Sequence, residues 1–554
     1  LTVAALLEAR PVDLMQTMRK TVVDGSNTSG FQRTTLVAQD GTLQTPEGPV
    51  GVDVICLEED SARKLTTVDT DSGERVSYNL DRLGLPLIEI ATAPDVQTPD
   101  HAQSTARALG AVLRRTRRVR RGLGSIRQDL NVSIACGDRV EIKGCQDLGW
   151  IPRIVRLEMA RQLHFYRLAN TLREAAGQDA LPPDRRSDDP EREARVAEAV
   201  AARFPDVLND VSSVFASSTS GMVERGLAQG HVMLALSLPG LAGLLGTKTL
   251  DQEGAQLPRL GRELAGAAKL AGVRGVFHSD ELPAYGITEA EVHGVRSTLS
   301  LAQDDAFVLC LAPDWQASLA LEAVRNRALL AHHRLPREVR NVTVSKGAPL
   351  DGTTGPMRPL PGGARMYPET DVPPLPLGAE RWARLSGHLP PSNEERRERL
   401  SPAGLSDDQR EQLLARELDD RFLEHLGERP AKAFATLMLE HENAPTEFLV
   451  DLIDLREEGA LSREGVKAAT ASFPKGADRT TLVAWAEAEG HVPTEVADLD
   501  GIIAGIIAER LDFVKERGFG AIGPLMGVVM GAAKGADGRE VSERLKAAIQ
   551  QVLS

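Results

Sequence analysis

The chain has no paired cysteines, few aromatic residues and no apolar run long enough to cross a bilayer. Its four Cys (Cys56, Cys136, Cys145, Cys310) are scattered over 554 residues without a CxxC pair. That excludes a disulfide scaffold and a four-Cys zinc site within the chain, and fits a reducing cytoplasm. The most apolar stretches, 232–245 and 519–533, are interrupted by Pro and Gly and fall short of the ~20 residues a span needs. HExxH, HxH and GxSxG spacings are absent, so zinc-protease and hydrolase-triad chemistry has no foothold. Aromatics are only 4%, and Lys is scarce beside Arg.

What is present is a 42% apolar chain with 79 acidic and 65 basic side chains, net −14. It can bury several cores, about three to five domains at roughly 100–200 residues each. The negative balance argues mildly against a general nucleic-acid coat and leaves a local basic groove open.

Residues 1–165 read as mixed α and β with strong β content. Strands are expected at 36–40 and 50–57, around Thr45-Pro46-Glu47-Gly48. LPLIEIA (85–91), bounded by Gly84 and Pro94, is expected as a buried strand. Thr98-Pro99-Asp100 is a helix start, a capping Thr followed by Pro and an acid, for a helix reaching about Arg115. The alternation in 130–134 and 140–143 predicts a β-hairpin. Leu130, Val132, Val140 and Ile142 fall on one side; Asn131, Glu141 and Lys143 fall on the other, with Asp129 at the entry. Residues 152–170 read as helix and 177–195 as a surface linker. Residues 206–340 form a separate Ala/Gly/Leu-rich block of mixed character. The Pro- and Gly-dense 356–377 is too irregular for one element. Residues 378–490 are helical, and 492–554 hold two helices around a Gly-rich centre.

Four constellations could carry chemistry. Glu58-Glu59-Asp60 follows an apolar strand, and Glu89 stands inside LPLIEIA. A carboxylate buried mid-strand is costly unless paired or metal-bound. An ion pair with an Arg such as Arg82 and a Mg²⁺ site both satisfy that condition. The loop Asp24-Gly25-Ser26-Asn27-Thr28-Ser29-Gly30 can present N–H groups to phosphate or be an ordinary Asx/Gly turn; it lacks the Gly-Lys-Ser/Thr of a P-loop. Six Arg lie within 114–121, as a phosphate or RNA contact or as cations at a helix end. The segment 364–374, with Arg365, Tyr367, Glu369 and Asp371, is either a loop beside the site or a linker.

These motifs together resemble the GatB/GatE family. They are VDGSNTSGFQRTTLVA (23–38), CLEED (56–60), NLDRLGLPLIEIATAPD (79–95), RGLGSIRQDLNVSI (121–134), VEIKGCQDL (140–148), MRPLPGGARMYPETDVPP (357–374) and AERLDFVKERGFGAIGPLMGVVM (508–530). The resemblance implies an α+β multidomain protein. A β-rich cradle domain (1–205, resuming at 341–377) would be interrupted by an aspartyl-tRNA-synthetase-like α/β insertion (206–340). An all-α helical domain (378–491) and a YqeY-like tRNA-binding tail (492–554) would follow. It further implies an ATP- and Mg²⁺-dependent amidotransferase acting on misacylated Glu-tRNA(Gln). Ammonia would come from the partner amidase of the same amidotransferase, which resembles asparaginases. The insertion favours the archaeal branch over the bacterial one, whose enzyme also acts on Asp-tRNA(Asn).

By the same resemblance, Glu58 and Glu89 match the family's carboxylate ligands for Mg²⁺. Asp129, Glu141, Lys143 and Arg127 lie in segments that match its active-site sheet. Ser26, Asn27, Thr28, Ser29 and Arg365 are candidates for ATP or phosphate. Lys515, Arg517 and Lys534 are candidates for tRNA; residues 492–554 carry nine acids and seven bases, so contact there would rest on shape and placed cations. The family also opens with a Gly-Leu-Glu-Ile-His-type strand whose His is a further metal ligand. That motif is absent, so the resemblance implies that Leu1 lies roughly 80–100 residues into a family member and that the 554-residue chain by itself is inactive or poorly folded. A non-catalytic tRNA-binding module is the competing function.

Overall fold

The computed structural model describes residues 1–70, 73–120, 122, 124–344, 350–360, 363–493, 499–533 and 538–553. They divide into two compact units, Leu1–Leu389 and Pro390–Ser554. The chain is of mixed α and β structure, with several sheets in the first unit and helices in the second.

In the first unit, strand β1 (Thr17–Thr21) pairs with β2 (Phe31–Thr45), which turns at Pro46–Glu47 into β3 (Gly48–Glu59). The hairpin is longer than the apolar alternation alone predicts, because its Thr- and Gln-rich flanks also pair. Strand β4 (Pro86–Thr92) completes the ladder beside β3 as an edge strand. This corrects the expectation of a buried strand: among the described residues no further strand pairs with β4, so Ile88 is 44% exposed and Glu89 is exposed. One face of the sheet, through Ala38, Leu43, Val52 and Ile55, packs on α1 (Thr2–Leu6) and on α2 (Pro99–Arg115). Helix α2 starts as the sequence requires, with the Thr98 hydroxyl accepting from the His101 amide at 3.1 Å.

The expected hairpin is present as β5 (Leu130–Val132) and β6 (Val140–Lys143), with Val140 opposite Val132 and Ile142 opposite Leu130. Its apolar side is fully covered by α3 (Ile151–Ala175) through Ile151, Ile154 and Val155. Its polar side is thereby turned away from the core.

Residues 177–195 are not a linker. They lead into α4 (Pro190–Ala201), capped by Asp189. Arg334 ties them down through Asp188, the Pro182 carbonyl and the Cys136 carbonyl. Residues 206–340 share a core with the helices before them. Their sheet, built on β7 (Val232–Leu238) and β8 (Ala306–Ala312), packs on α5 (Leu260–Leu270) and α6 (Asp314–Leu330). That core also takes in Phe165, Leu168 and Leu172 of α3 and Val196 and Val200 of α4. The apolar stripe of α3 outlasts the hairpin it covers, which is why the helix runs past residue 170.

The chain then returns to both earlier sheets. Strand β9 (Glu338–Val342) pairs parallel with β6, β10 (Thr354–Pro359) pairs with β9, and β11 (Met366–Pro368) pairs with β1. Helix α7 (Ala379–Ser386) belongs to this unit, with Trp382 on the core beneath the first sheet.

The second unit has two apolar clusters. One is built around Phe422, Phe434, Leu449 and Leu452, the other around Ile503, Leu525, Val529 and Leu545. The Gly-rich centre expected between two helices is itself helical over Ile522–Ala532. Leu525 and Val529 form its buried side, and the glycines at 523, 527 and 531 repeat every four residues on another. Among the described residues no helix is long and apolar enough to cross a membrane.

Candidate active site

The pleat of the first sheet sorts its side chains. Lys20 is opposite Gln32, Thr34 opposite Glu58, and Cys56 opposite Glu89, so these side chains share the face remote from α1 and α2. Glu58 is the hub. Its carboxylate accepts from Lys20 Nζ at 2.5 Å, Thr34 Oγ1 at 2.9 Å and Gln32 Nε2 at 3.4 Å.

Glu89 stands diagonally across the ladder from Glu58, and the two carboxyls titrate against each other. Burial pushes Glu58 up, but hydrogen bonds from the Glu89 carboxyl, Lys20 and Thr34 outweigh it and hold Glu58 below its ordinary value. Glu89 is pushed up to about 7, by burial first and then by the hydrogen bond and charge of Glu58. Its open side on the edge strand lets solvent screen part of that effect; the direction follows from two acids sharing one ammonium. Cys56 is pushed up to about 11 by burial and by the charges of Glu89 and Glu58, so its thiol is neutral and a poor nucleophile.

The polar side of the β5–β6 hairpin supplies the second group. Lys143 Nζ lies 2.6 Å from Asp129 and 2.5 Å from Glu141. Burial pulls its pKa down, and the hydrogen bonds it donates to both acids more than restore it. Glu141 also contributes to the upward shift of Glu89, so the two sheets bring their acids within electrostatic reach. The cluster sets four carboxyls (Glu58, Glu89, Asp129, Glu141) against two ammonium groups (Lys20, Lys143).

The other predicted residues are placed as follows. Arg127 donates to the buried Asp60 at 3.0 Å and is committed there. Arg82 also lies against Asp60, at 3.7 Å, and donates to the Ser61 carbonyl. The expected Arg82–Glu89 pair therefore does not form: CLEED uses its last acid, not the strand carboxylate, to collect arginines. In the 24–30 loop, Asp24 accepts from the Ser26 amide at 2.9 Å and the Ser26 hydroxyl at 2.6 Å, an Asx turn. Buried Asn27 accepts from Ser61 at 2.9 Å, Ser29 donates to the Phe31 carbonyl at 2.8 Å, and Thr28 is exposed. The loop is thus held mainly by its own side chains.

Arg365 precedes β11, and its carbonyl accepts from Thr21 at 3.1 Å. Four residues on, Glu369 is buried between Arg19 and Arg33 on the opposite face of the sheet. Hydrogen bonds from Arg19 first, then Arg33, hold it well below the carboxylate range. Both guanidiniums also lie over the Phe31 ring, at 4.4 and 5.3 Å. This clamp fastens segment 364–371 to the site strands, and the sequence signalled it only as acids and aromatics in MYPETD.

Arg114 and Arg115 occupy the last turn of α2, where cations meet the negative helix end; Arg121 lies outside the described residues. Lys515 and Arg517 are exposed in the second unit, in the last turn of Leu511–Arg517, with Arg517 5.3 Å from the Phe513 ring. Lys534 lies outside the described residues.

Sequence reasoning missed a buried six-charge network. Glu158, Arg161, Glu263, Arg327, Glu338 and Arg340 come from α3, α5, α6 and β9. Arg340 is fully buried, with Glu263 at 2.8 Å and Glu338 at 2.6 Å. No local pattern marks it, because its members are spread over 182 positions of sequence (158 to 340).

Among the described residues no group of three or more His, Cys, Asp or Glu has metal-cage geometry. Two convergent carboxylates nonetheless fit Mg²⁺, which binds proteins through one or two carboxylates and keeps several waters.

Two comparisons with known proteins bear on this site. Residues 1–383 match the model of the GatB/GatE catalytic domain. The GatE component of the glutamyl-tRNA(Gln) amidotransferase of Methanopyrus kandleri is 38% identical over 569 residues, covering 99% of this chain and 83% of that protein. The corresponding proteins of Thermococcus gammatolerans and Methanocaldococcus jannaschii are each 38% identical, over 565 and 570 residues, covering all of this chain and 84% of each.

Proposed function

Because the chain belongs to the GatB/GatE family, we propose that it is the transamidating component of a glutamyl-tRNA(Gln) amidotransferase, converting Glu-tRNA(Gln) to Gln-tRNA(Gln). The similarity to archaeal GatE proteins supports this over a bare tRNA-binding module and over the bacterial-type enzyme. The observation that carries the chemistry is the acid-rich cluster joining Glu58 and Glu89 of one sheet to Glu141 of the other.

The reaction phosphorylates the glutamyl γ-carboxylate with ATP and then exchanges phosphate for ammonia from the asparaginase-like partner amidase. Phosphoryl transfer needs positioning and charge neutralisation more than covalent chemistry from the protein. Glu58 and Glu89 would hold Mg²⁺, which when bound neutralises phosphate charge. Lys20 keeps Glu58 ionised and oriented. Lys143, braced by Asp129 and Glu141, can turn its ammonium to a phosphoryl oxygen. Arg365 is the further candidate cation, positioned by the Glu369 clamp; Arg127 braces CLEED through Asp60. The Ser26–Ser29 loop, tied by Asn27 to Ser61 just after CLEED, is the candidate for phosphate. Return of β9, β10 and β11 to the early sheets supports the reading of 206–340 as an aspartyl-tRNA-synthetase-like insertion in a cradle domain. Residues 378–491 and 492–554 are read as helical and YqeY-like tRNA-binding parts, the latter through Lys515, Arg517 and Lys534.

The test is amidation of Glu-tRNA(Gln) with ammonium as nitrogen source, scored as Gln-tRNA(Gln) formed. Glu58→Gln and Glu89→Gln should each lower the rate by about 100-fold or more, with tRNA(Gln) affinity at matched salt unchanged. Variants that amidate as fast as the unsubstituted protein overturn the carboxylate assignment.

A further inference from the structure

Helix α5 begins without a side-chain cap at Arg259, and its first turn borders a cavity of about 30 Å³. That exceeds the roughly 10–15 Å³ one water occupies. The wall is rich in donors without acceptors. Gln256 is only 8% exposed, and its Nε2 has no partner among the described residues. Arg259 Nε is buried in the same condition, while its Nη1 goes to Glu281. Arg262 gives one Nη2 hydrogen bond to Thr353 at 2.8 Å and pairs with no carboxylate among the described residues.

The two acids that line the cavity are already matched. Glu158 accepts twice from Arg161, at 2.8 and 2.9 Å, and Glu263 accepts from Arg340 and Arg327. Glu338 and Glu281 behind them pair with Arg327, Arg340 and Arg259. Burial depresses the pKa of Arg262; the charge of the neighbouring Glu263 opposes this, and Arg340, Arg259 and Arg161 add to the depression. Amide and guanidinium N–H groups that converge on one space at a helix start call for a partner that only accepts and carries negative charge.

We propose that this cavity binds a phosphate group, held by Gln256, Arg259 and Arg262. The site is separate from the Glu58–Glu89 cluster and stands or falls independently of the amidation reading. Through Glu263 and Arg340 it abuts β9, so occupancy should stiffen the seam between the insertion and the hairpin sheet.

Titration of the 554-residue chain with inorganic phosphate, at ionic strength held constant with chloride, should show one saturable site per chain. Arg262→Met and Gln256→Leu should each weaken it about tenfold or more. A third variant protects against misfolding of the first two: Gln256→Glu places a carboxylate beside Arg262, so it should fold, raise the thermal midpoint without phosphate, and lose the response to phosphate. An oligoribonucleotide identifies the source. Competition with phosphate that depends on Arg262 means an RNA backbone reaches the site; phosphate binding without competition means the free ion is the ligand. No saturable binding of either, or binding equal in all variants, overturns the proposal.

Discussion

Two groups of buried or half-buried charge lie in the same unit and differ in closure. The six-charge network pairs three carboxylates with three guanidiniums, and the hydrogen bonds of its acids end on arginine, glutamine or threonine inside the protein. The cluster at Glu58 and Glu89 has four acids around two ammonium groups, and one of its carboxyls is driven towards neutrality by burial and by its partner. The first arrangement is complete as it stands. The second is short of positive charge on an otherwise well-braced sheet.

That contrast can be broken most forcefully at the network. Glu263→Gln or Arg340→Met strands a buried charge and should cost about 3–5 kcal/mol, read by denaturant unfolding of the first unit's transition. A loss under about 1 kcal/mol would mean the network is not closed. The Glu369 clamp gives a smaller effect that depends on pH. Its folded pKa is depressed, so its contribution is present above the unfolded value near ~4.3 and is lost as pH falls below it. Glu369→Gln should therefore lower stability at pH 7 and flatten the acid limb of the stability–pH curve; an unchanged acid limb would remove the clamp. The smallest effect belongs to the Glu58–Glu89 cluster. Glu89→Gln should change stability by no more than about 1 kcal/mol and in the stabilising direction, because it relieves repulsion from Glu58. Added Mg²⁺ should raise the melting temperature of the unsubstituted chain and not of that variant. Destabilisation by Glu89→Gln, with the Mg²⁺ response intact, would make Glu89 a structural residue.

Local chemistry made much of the frame readable. Thr98-Pro99-Asp100 starts a helix because it satisfies first-turn amides and presets φ. The 130–143 alternation assigns Ile142 to the core and Lys143 to the site because strand side chains alternate. Glu58 and Glu89 stand out because carboxylates are unexpected among apolar strand residues. Other features were illegible for equally physical reasons. LPLIEIA has the composition of a central strand, yet only the ladder reveals β4 as an edge. Arg82 could have paired with any of several nearby acids, and only the backbone turn at 60–85 directs it to Asp60. The 177–195 segment is Pro-rich and charged like a linker, but its Asp188 and Glu193 pair with Arg334 and with Arg173 of α3, which lie outside it.

The sequence by itself determined which residues could bear charge beside apolar strands, where helices begin, which side of the hairpin is polar and which family the motifs resemble. These are short-range properties, set by propensity, capping and period. Tertiary structure alone decided that Glu89 shares its proton with Glu58, that Glu141 of a second sheet raises its pKa, and that three distant arginines neutralise Glu158, Glu263 and Glu338. Those outcomes depend on distances between residues far apart in the chain, and a carboxylate's charge state is set by what the fold brings within a few ångströms of it.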